Sequence, residues 1–90
     1  MPPKRHGMER LEDLPGVGPS LAADLRSLGI GKPAELVGRD PIALYHELCL
    51  ATGQRHDPCV ADVFMAAVHF AGTGEARNWW TFTAERKTLL

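Results

Sequence analysis

Glycine and proline occur so often along this chain that no helix or strand can run far without interruption. Nine glycines and seven prolines are distributed through 90 residues. Both residue types tend to end regular elements, because ordering glycine costs backbone entropy and proline lacks the amide hydrogen. No stretch alternates apolar and polar residues as an amphipathic strand would. The pattern therefore predicts an all-α fold, a compact bundle of five or six short helices.

Proline at a first helical position, often just after a capping aspartate, indicates where the longer helices begin. On this criterion the longer helices are predicted at residues 19–28, 41–52 and 58–71, the last two capped by Asp40 and Asp57. The third of them is apolar over much of its circumference, which predicts a central place in the fold. Shorter helices are predicted at residues 9–14, at residues 33–37 and after a cap at Thr83. A loop is predicted at residues 72–74, and residues 79–82 are predicted to be extended, because aromatic and β-branched side chains favour strands.

Size and charge limit what the chain can do. A chain of this length buries only about two-thirds of its unfolded surface, which leaves little room for a deep catalytic cleft and favours a binding module over an enzyme. Ten Lys and Arg against eleven Asp and Glu give a net charge of −1, which excludes a nucleic-acid clamp that works by bulk charge. Residues 1–7 are predicted to be a disordered, mildly basic leader, followed by a single domain at residues 8–90.

Cysteine content and hydropathy indicate the compartment. Two cysteines are too few for the disulfide framework of a small secreted domain. No apolar stretch approaches the roughly 20 residues that span a bilayer. The prediction is a cytoplasmic protein that does not use the membrane as a partner.

Two His-x-x-Cys pairs, His46 with Cys49 and His56 with Cys59, offer four side chains of the kinds that bind zinc. Cys49 lies on the apolar face of its predicted helix, whereas His46 lies well round the helix from that face. A free cysteine in such a place usually packs in the core. No metal, no other cofactor and no catalytic residue is therefore predicted, and Asp57 is interpreted as a helix cap and not as a partner of His56 in catalysis.

The turn between the first two predicted helices carries the strongest functional signal. Residues 11–25 resemble the helix-hairpin-helix motif, in which a glycine-hydrophobic-glycine turn joins two short helices. The resemblance implies a hairpin that contacts the sugar-phosphate backbone of DNA without reading bases. Bare glycine backbone permits close approach, and the following helix presents amide donors to a phosphate. The resemblance also implies that Gly16, Val17 and Gly18 form the turn. The two helices would be held together by apolar side chains, namely Leu11, Leu14, Ala22 and Leu25.

The charge of this segment opposes strong binding. Such hairpins usually carry Lys or Arg just after the second glycine, where this chain has Pro19 and Ser20. Residues 8–31 carry a net charge of −2, whereas residues 75–90 sum to +1. Affinity for phosphates comes largely from cationic side chains, so Arg86 and Lys87 are predicted to contribute to nucleic-acid binding. The prediction is weak, sequence-independent nucleic-acid binding through these two residues and through Gly16, Val17, Gly18, Pro19 and Ser20.

Two other interpretations remain open. The glycines alone would close a helical hairpin with no ligand. Trp79 and Trp80 near cations would suit stacking on single strands, or would cover one end of the bundle with large rings. If one of the two rings faces outward, it marks a partner site. The alternative function is therefore a protein–protein interaction module that uses the hairpin or the Trp79 and Trp80 region.

Four sequence segments, most of them beyond the hairpin, resemble a small bacterial family of pathogenicity-locus and mitomycin-resistance proteins. The segments lie at residues 14–19, 30–36, 57–64 and 79–82, and the resemblance covers most of residues 9–87. It implies a stand-alone helix-hairpin-helix domain in a bacterial cytoplasm and brings no known reaction. Resistance to a DNA crosslinker is in keeping with a role at DNA.

Overall fold

The computed structural model describes residues 10–89, and these residues are helical with no strand. The predicted all-α class is confirmed, while the predicted leader at residues 1–7 lies outside the described residues. Four α-helices follow one another: α1 (Pro19–Ser27), α2 (Pro41–Thr52), α3 (Cys59–Thr73) and α4 (Thr83–Leu89). Short 3-10 helices occur at Leu11–Asp13, Pro33–Leu36 and Trp79–Phe82.

The predicted cap of α2 is confirmed, and in α3, whose N-cap residue is Pro58, the preceding Asp57 accepts the first helix amide. Asp40 Oδ1 accepts hydrogen bonds from the amides of Ile42 and Ala43 at 2.9 and 3.3 Å, and so caps α2. Asp57 Oδ1 accepts from the amide of Cys59 at 2.9 Å, at the start of α3. A carboxylate in this place satisfies amides that have no partner within the helix. The capping interpretation of Asp57 therefore has a direct structural basis.

Three predicted segments differ from the structure. The stretch Trp79–Phe82 is a 3-10 helix and not extended, because it packs along α3, where Phe82 is buried. The helix predicted to end near Ala71 continues to Thr73, so Gly72 is helical and Gly74 ends α3 with a φ of 78°. Thr83, predicted to cap the last helix, is instead the first residue of α4. The described chain thus has four α-helices and three 3-10 turns, where five or six helices were predicted.

Helix α3 lies at the centre of the fold, as its apolar circumference predicts. Residues 61–67 are all buried, and α3 packs against α2, α4 and the 3-10 helices Pro33–Leu36 and Trp79–Phe82. The apolar residues predicted to join the first two helices belong to the same core, namely Leu11, Leu14, Ala22 and Leu25. None of the helices in residues 10–89 is both long enough and apolar enough to cross a lipid bilayer.

Candidate functional site

The two glycines of the predicted hairpin turn have different backbone conformations. Gly16 has a φ of +77°, in the left-handed region that favours glycine. A Cβ at Gly16 would lie 3.4 Å from Cδ1 of Trp79 and 3.5 Å from Cγ1 of Val63, so the turn packs closely on the core. Gly18 has a φ of −92°, which any residue can adopt, and nothing lies within 4 Å of where its Cβ would be. The fold therefore favours glycine at position 16 and has no need of it at position 18.

Helix α1 begins at this turn with free amide donors. Gly18 is its N-cap residue, and no side chain of residues 10–89 forms a capping hydrogen bond there. Because Pro19 has no amide hydrogen, the donors of the first turn are the amides of Ser20 and Leu21. Pro19 and Ser20 are exposed. Val17 is buried in the core, so its side chain anchors the turn, and only its backbone is left for the nucleic-acid contact predicted for it.

An ion pair reduces the acidic character of the hairpin. Arg26 donates from Nη1 and Nη2 to the two carboxylate oxygens of Glu12, at 3.1 and 2.9 Å. The Arg26 hydrogen bond is the largest of the effects that hold the pKa of Glu12 below its usual value. Arg10 Nε lies 3.9 Å from Glu12 Oε1 as well. The charge of Glu12 is thus offset locally by cations.

A second candidate surface is a cavity of about 590 Å³ at the junction of α2, α3 and α4. Three of its lining side chains are cationic, namely Arg55, Arg86 and Lys87. No carboxylate lines the cavity among the described residues, and the remaining wall consists of Tyr45, His46, Pro58 and Leu89. We refer to this surface as the cationic cavity. It contains both cations predicted to contact nucleic acid, together with Arg55, which was not predicted.

Arg86 is held in the cationic cavity by a buried carboxylate. Its Nε donates to Oδ1 of Asp62 at 2.8 Å, while Thr83 Oγ1 donates to Oδ2 at 2.7 Å. Asp62 is completely buried and the Arg86 side chain is 14% exposed. The hydrogen bond to Asp62 is the main cause that raises the pKa of Arg86, so the guanidinium stays charged. Asp62 engages Nε, and no partner among residues 10–89 occupies the two terminal nitrogens, which remain able to donate to a ligand.

The loop between α2 and α3 positions Arg55. The buried hydroxyl of Tyr45 donates to the backbone carbonyl of His56, and Thr52 Oγ1 lies 2.8 Å from His56 Nε2. Burial raises the pKa of Tyr45, and a contact with Cys49 raises it further, whereas the positive charge of Arg55 acts in the opposite direction. Arg55 itself is exposed and lines the cationic cavity from this loop. The only sequence signal for this residue was its place in a polar string between two helices.

The hairpin turn and the cationic cavity are both attached to the first half of α3. Val63 lies next to Gly16, and the preceding residue, Asp62, binds Arg86. Consecutive helix residues point about 100° apart, so Val63 and Asp62 face different sides of α3. The turn and Arg86 of the cavity therefore both pack against the first half of α3.

The paired tryptophans have different environments. Trp79 packs against the core, whereas Trp80 is 57% exposed, and their rings meet edge to face with centroids 5.6 Å apart. One of the two therefore faces outward, as predicted for a partner site.

One contact joins a residue of the first His-x-x-Cys pair to the backbone of the second. Cys49 Sγ accepts from the amide of His56 at 3.5 Å, and both cysteines are free thiols. Within residues 10–89 no group of three or more His, Cys, Asp or Glu side chains is arranged to hold a metal ion.

These features define a small all-α domain with an open glycine turn beside a cationic cavity. The chain belongs to the pathogenicity locus family Cdd1, whose sequence profile matches residues 4–88. It is 46% identical over 80 residues to the mitomycin resistance protein McrB of Streptomyces lavendulae, in an alignment that covers 89% of this chain and 76% of that protein. No solved structure matches the chain significantly. The predicted family is therefore confirmed.

Proposed function

We propose that this chain is a non-enzymatic helix-hairpin-helix module that binds the sugar-phosphate backbone of nucleic acid, weakly and without sequence preference. The observation that carries this function is the conformation of Gly18. Its backbone is ordinary and its missing side chain would meet nothing, so the fold gives no reason for glycine here. A ligand that must approach the backbone closely gives such a reason, because any side chain at this position would stand in its way.

The free amides of α1 supply the contact itself. Ser20 and Leu21 follow a proline in the first turn of a helix with no side-chain cap. Helix N-termini of this kind bind phosphate through amide donors and the positive end of the helix dipole. Contacts of this type read no base, which accounts for binding without sequence preference.

The cationic cavity supports the same function by supplying charge that the hairpin lacks. Arg86 and Lys87 line this cavity, and Arg86 is bound by Asp62, the neighbour of the Val63 that contacts the turn. Each cation that neutralises a phosphate releases a condensed counterion, and this release provides most of the affinity that does not depend on sequence. A duplex seated on the turn would therefore bind more weakly as the salt concentration rises.

The test compares Gly18→Ser with the parent protein in a titration of fluorescently labelled duplex DNA. A serine at this position would cap α1 and compete for the amides that a phosphate would use. We expect unfolding stability to be unchanged or to rise by a few tenths of a kcal/mol, while duplex affinity falls at least about fivefold. Gly31→Ser is the matched control, because Gly31 is also exposed and a Cβ there would approach only Glu35 Oε1, at 3.9 Å. No duplex binding at micromolar parent protein in low salt would overturn this function.

Trp80 favours protein interaction as the second candidate function. A ring that is 57% exposed on a chain with few aromatic residues is a suitable anchor for a protein surface. If a protein partner covers it, Trp80→Ala should weaken that complex at least about tenfold and leave duplex binding unchanged. Loss of duplex binding in this variant would assign Trp80 to the nucleic-acid surface instead.

A further inference from the structure

We infer that the cationic cavity is a binding site for a phosphate monoester, the group that a free nucleotide or the phosphorylated end of a strand carries. The proposed function concerns phosphodiesters on the hairpin, and this second site goes beyond it. The site stands independently of the hairpin, since a free nucleotide would occupy it even if the chain bound no strand.

Charge is the first reason. Arg55, Arg86 and Lys87 line the cavity and no carboxylate does so among the described residues. The nearest buried acid, Asp62, is already bound by Arg86 and Thr83. A phosphate monoester carries about −1.5 to −2 charges at neutral pH, whereas a backbone diester carries about −1. A cavity lined by cationic side chains, with no described carboxylate in its lining, therefore suits a monoester better than a diester.

The donors also have suitable geometry. Arginine presents a planar fork of N–H groups that matches two phosphate oxygens at once. Asp62 holds Arg86 of α4 in place before a ligand arrives, and the exposed Arg55 reaches the cavity from the loop before α3. Preorganised donors lose less conformational entropy on binding. Lys87 is exposed and adds a third cation at the edge of the cavity.

Size is the third reason. A cavity of about 590 Å³ falls in the range of small-molecule sites. It cannot admit a duplex, whose major groove alone is about 12 Å wide. A single nucleotide fits, with its phosphate on the cations and its sugar or base against the apolar side chains of Pro58 and Leu89. A pocket of this size therefore suits a terminal or free phosphate better than one within a duplex.

The experiment measures binding of two probe pairs by fluorescence anisotropy and calorimetry. One pair is a single-stranded oligonucleotide with a 5′-phosphate and the same strand with a 5′-hydroxyl; the other is AMP and adenosine. We expect the parent protein to prefer the phosphorylated member of at least one pair by about tenfold or more, as charged hydrogen bonds allow. A preference confined to the strands identifies a strand end as the ligand, and a preference confined to AMP identifies a free nucleotide.

Variants locate the site. Arg55→Ala and Lys87→Ala remove exposed side chains and should each reduce the preference at least about fivefold. Lys32→Ala removes an exposed lysine that does not line the cavity and should leave the preference unchanged. Arg86 is left intact because its ion pair with Asp62 belongs to the core. Circular dichroism of every variant checks that the helices are retained.

Two outcomes separate this site from the proposed function. Duplex binding without preference for phosphate in either pair overturns the monoester site and leaves the hairpin function standing. Binding of AMP without any duplex binding in low salt supports the monoester site and overturns the hairpin function. A preference that survives both Arg55→Ala and Lys87→Ala also overturns the assignment to this cavity.

Discussion

Arg86 and Asp62 are 24 residues apart in the sequence and form an ion pair with 2.8 Å between Nε and Oδ1. Thr83 occupies the other carboxylate oxygen, so a completely buried acid has a partner at each oxygen. Both partners come from α4, and the pair therefore joins this short helix to the first turn of α3. The same contact orients one wall of the cationic cavity, which makes the site dependent on a contact in the core.

The buried ion pair should contribute strongly to folding. Asp62→Ala leaves a guanidinium near the core without its carboxylate, and removal of one partner from a buried pair costs about 3–5 kcal/mol. We expect a loss of this size in urea unfolding followed by tryptophan fluorescence. Asp13→Ala, at an exposed aspartate in the first 3-10 helix, should change stability by less than about 0.5 kcal/mol. An Asp62→Ala variant as stable as the parent would contradict a structural role for the pair.

The glycines of the turn should respond differently to alanine. Gly16→Ala places a side chain on a backbone with φ of +77°, which costs about 1–2 kcal/mol. Gly53→Ala meets the same restriction at φ of +69° with no neighbour within 4 Å, and should cost a similar amount. Gly18→Ala should cost less than either, because its backbone is already allowed. Thermal and urea unfolding of the three variants tests this order, and equal losses at all three positions would disagree with the turn described here.

Local patterns made the helices predictable, and long-range contacts explain what was missed. The caps Asp40 and Asp57 depend on residues two or three positions away, so spacing alone identifies them. The cationic cavity depends on α2, α4 and the loop before α3 meeting in space, and no spacing along the chain predicts that meeting. Asp62 is likewise buried in the first turn of α3, where its distant partners Thr83 and Arg86 explain a buried charge.

The aromatic segment Trp79–Phe82 was also mispredicted because a long-range contact decides its conformation. Local propensity favours an extended Trp79–Phe82, yet packing on α3 makes it helical. The prediction that one tryptophan faces outward did hold, since the bundle has too little surface to cover two adjacent rings of this size.

The different exposure of the two tryptophans gives a direct test of that packing. Trp80→Ala should change the free energy of unfolding by less than about 0.5 kcal/mol, because the ring is mostly in water. Trp79→Ala should cost about 2–3 kcal/mol, somewhat less than for a fully buried ring. Fluorescence provides a second readout, as Trp80→Ala leaves only the buried fluorophore and shifts the emission to shorter wavelength. If Trp80→Ala were the more destabilising variant, Trp80 and not Trp79 would be the ring that packs on the core.

The ion pair between Glu12 and Arg26 should make part of the stability depend on acid pH. Folding lowers the pKa of Glu12, chiefly through the Arg26 hydrogen bond, so its contribution is present above the unfolded value near 4.5 and is lost as the pH falls through the folded pKa. Arg26→Gln should raise the Glu12 pKa towards that value and flatten the acid side of the stability curve. NMR titration of the Glu12 carboxyl carbon in parent and variant measures the shift. A Glu12 pKa that is the same in parent and variant would contradict the pair.

Tyr45 is the single tyrosine, so absorbance at alkaline pH reports this residue alone. Burial raises its pKa above the usual value of 10.0, and the positive charge of Arg55 partly opposes that rise. A raised pKa stabilises the fold below the unfolded value, and this contribution is lost as the pH rises through the folded pKa. The native midpoint should therefore lie above that of the protein in denaturing urea.

Arg55→Ala makes the Tyr45 titration a probe of the cationic cavity. Removal of the guanidinium should move the tyrosine midpoint still higher, because the group that favours the phenolate is lost. Lys87→Ala removes another cation of the same cavity that does not bond to the phenol, and should leave the midpoint close to that of the parent. An unchanged tyrosine midpoint in Arg55→Ala would show that the Arg55 guanidinium does not act on Tyr45. Arg55 would then have no contact that places its guanidinium in the cavity.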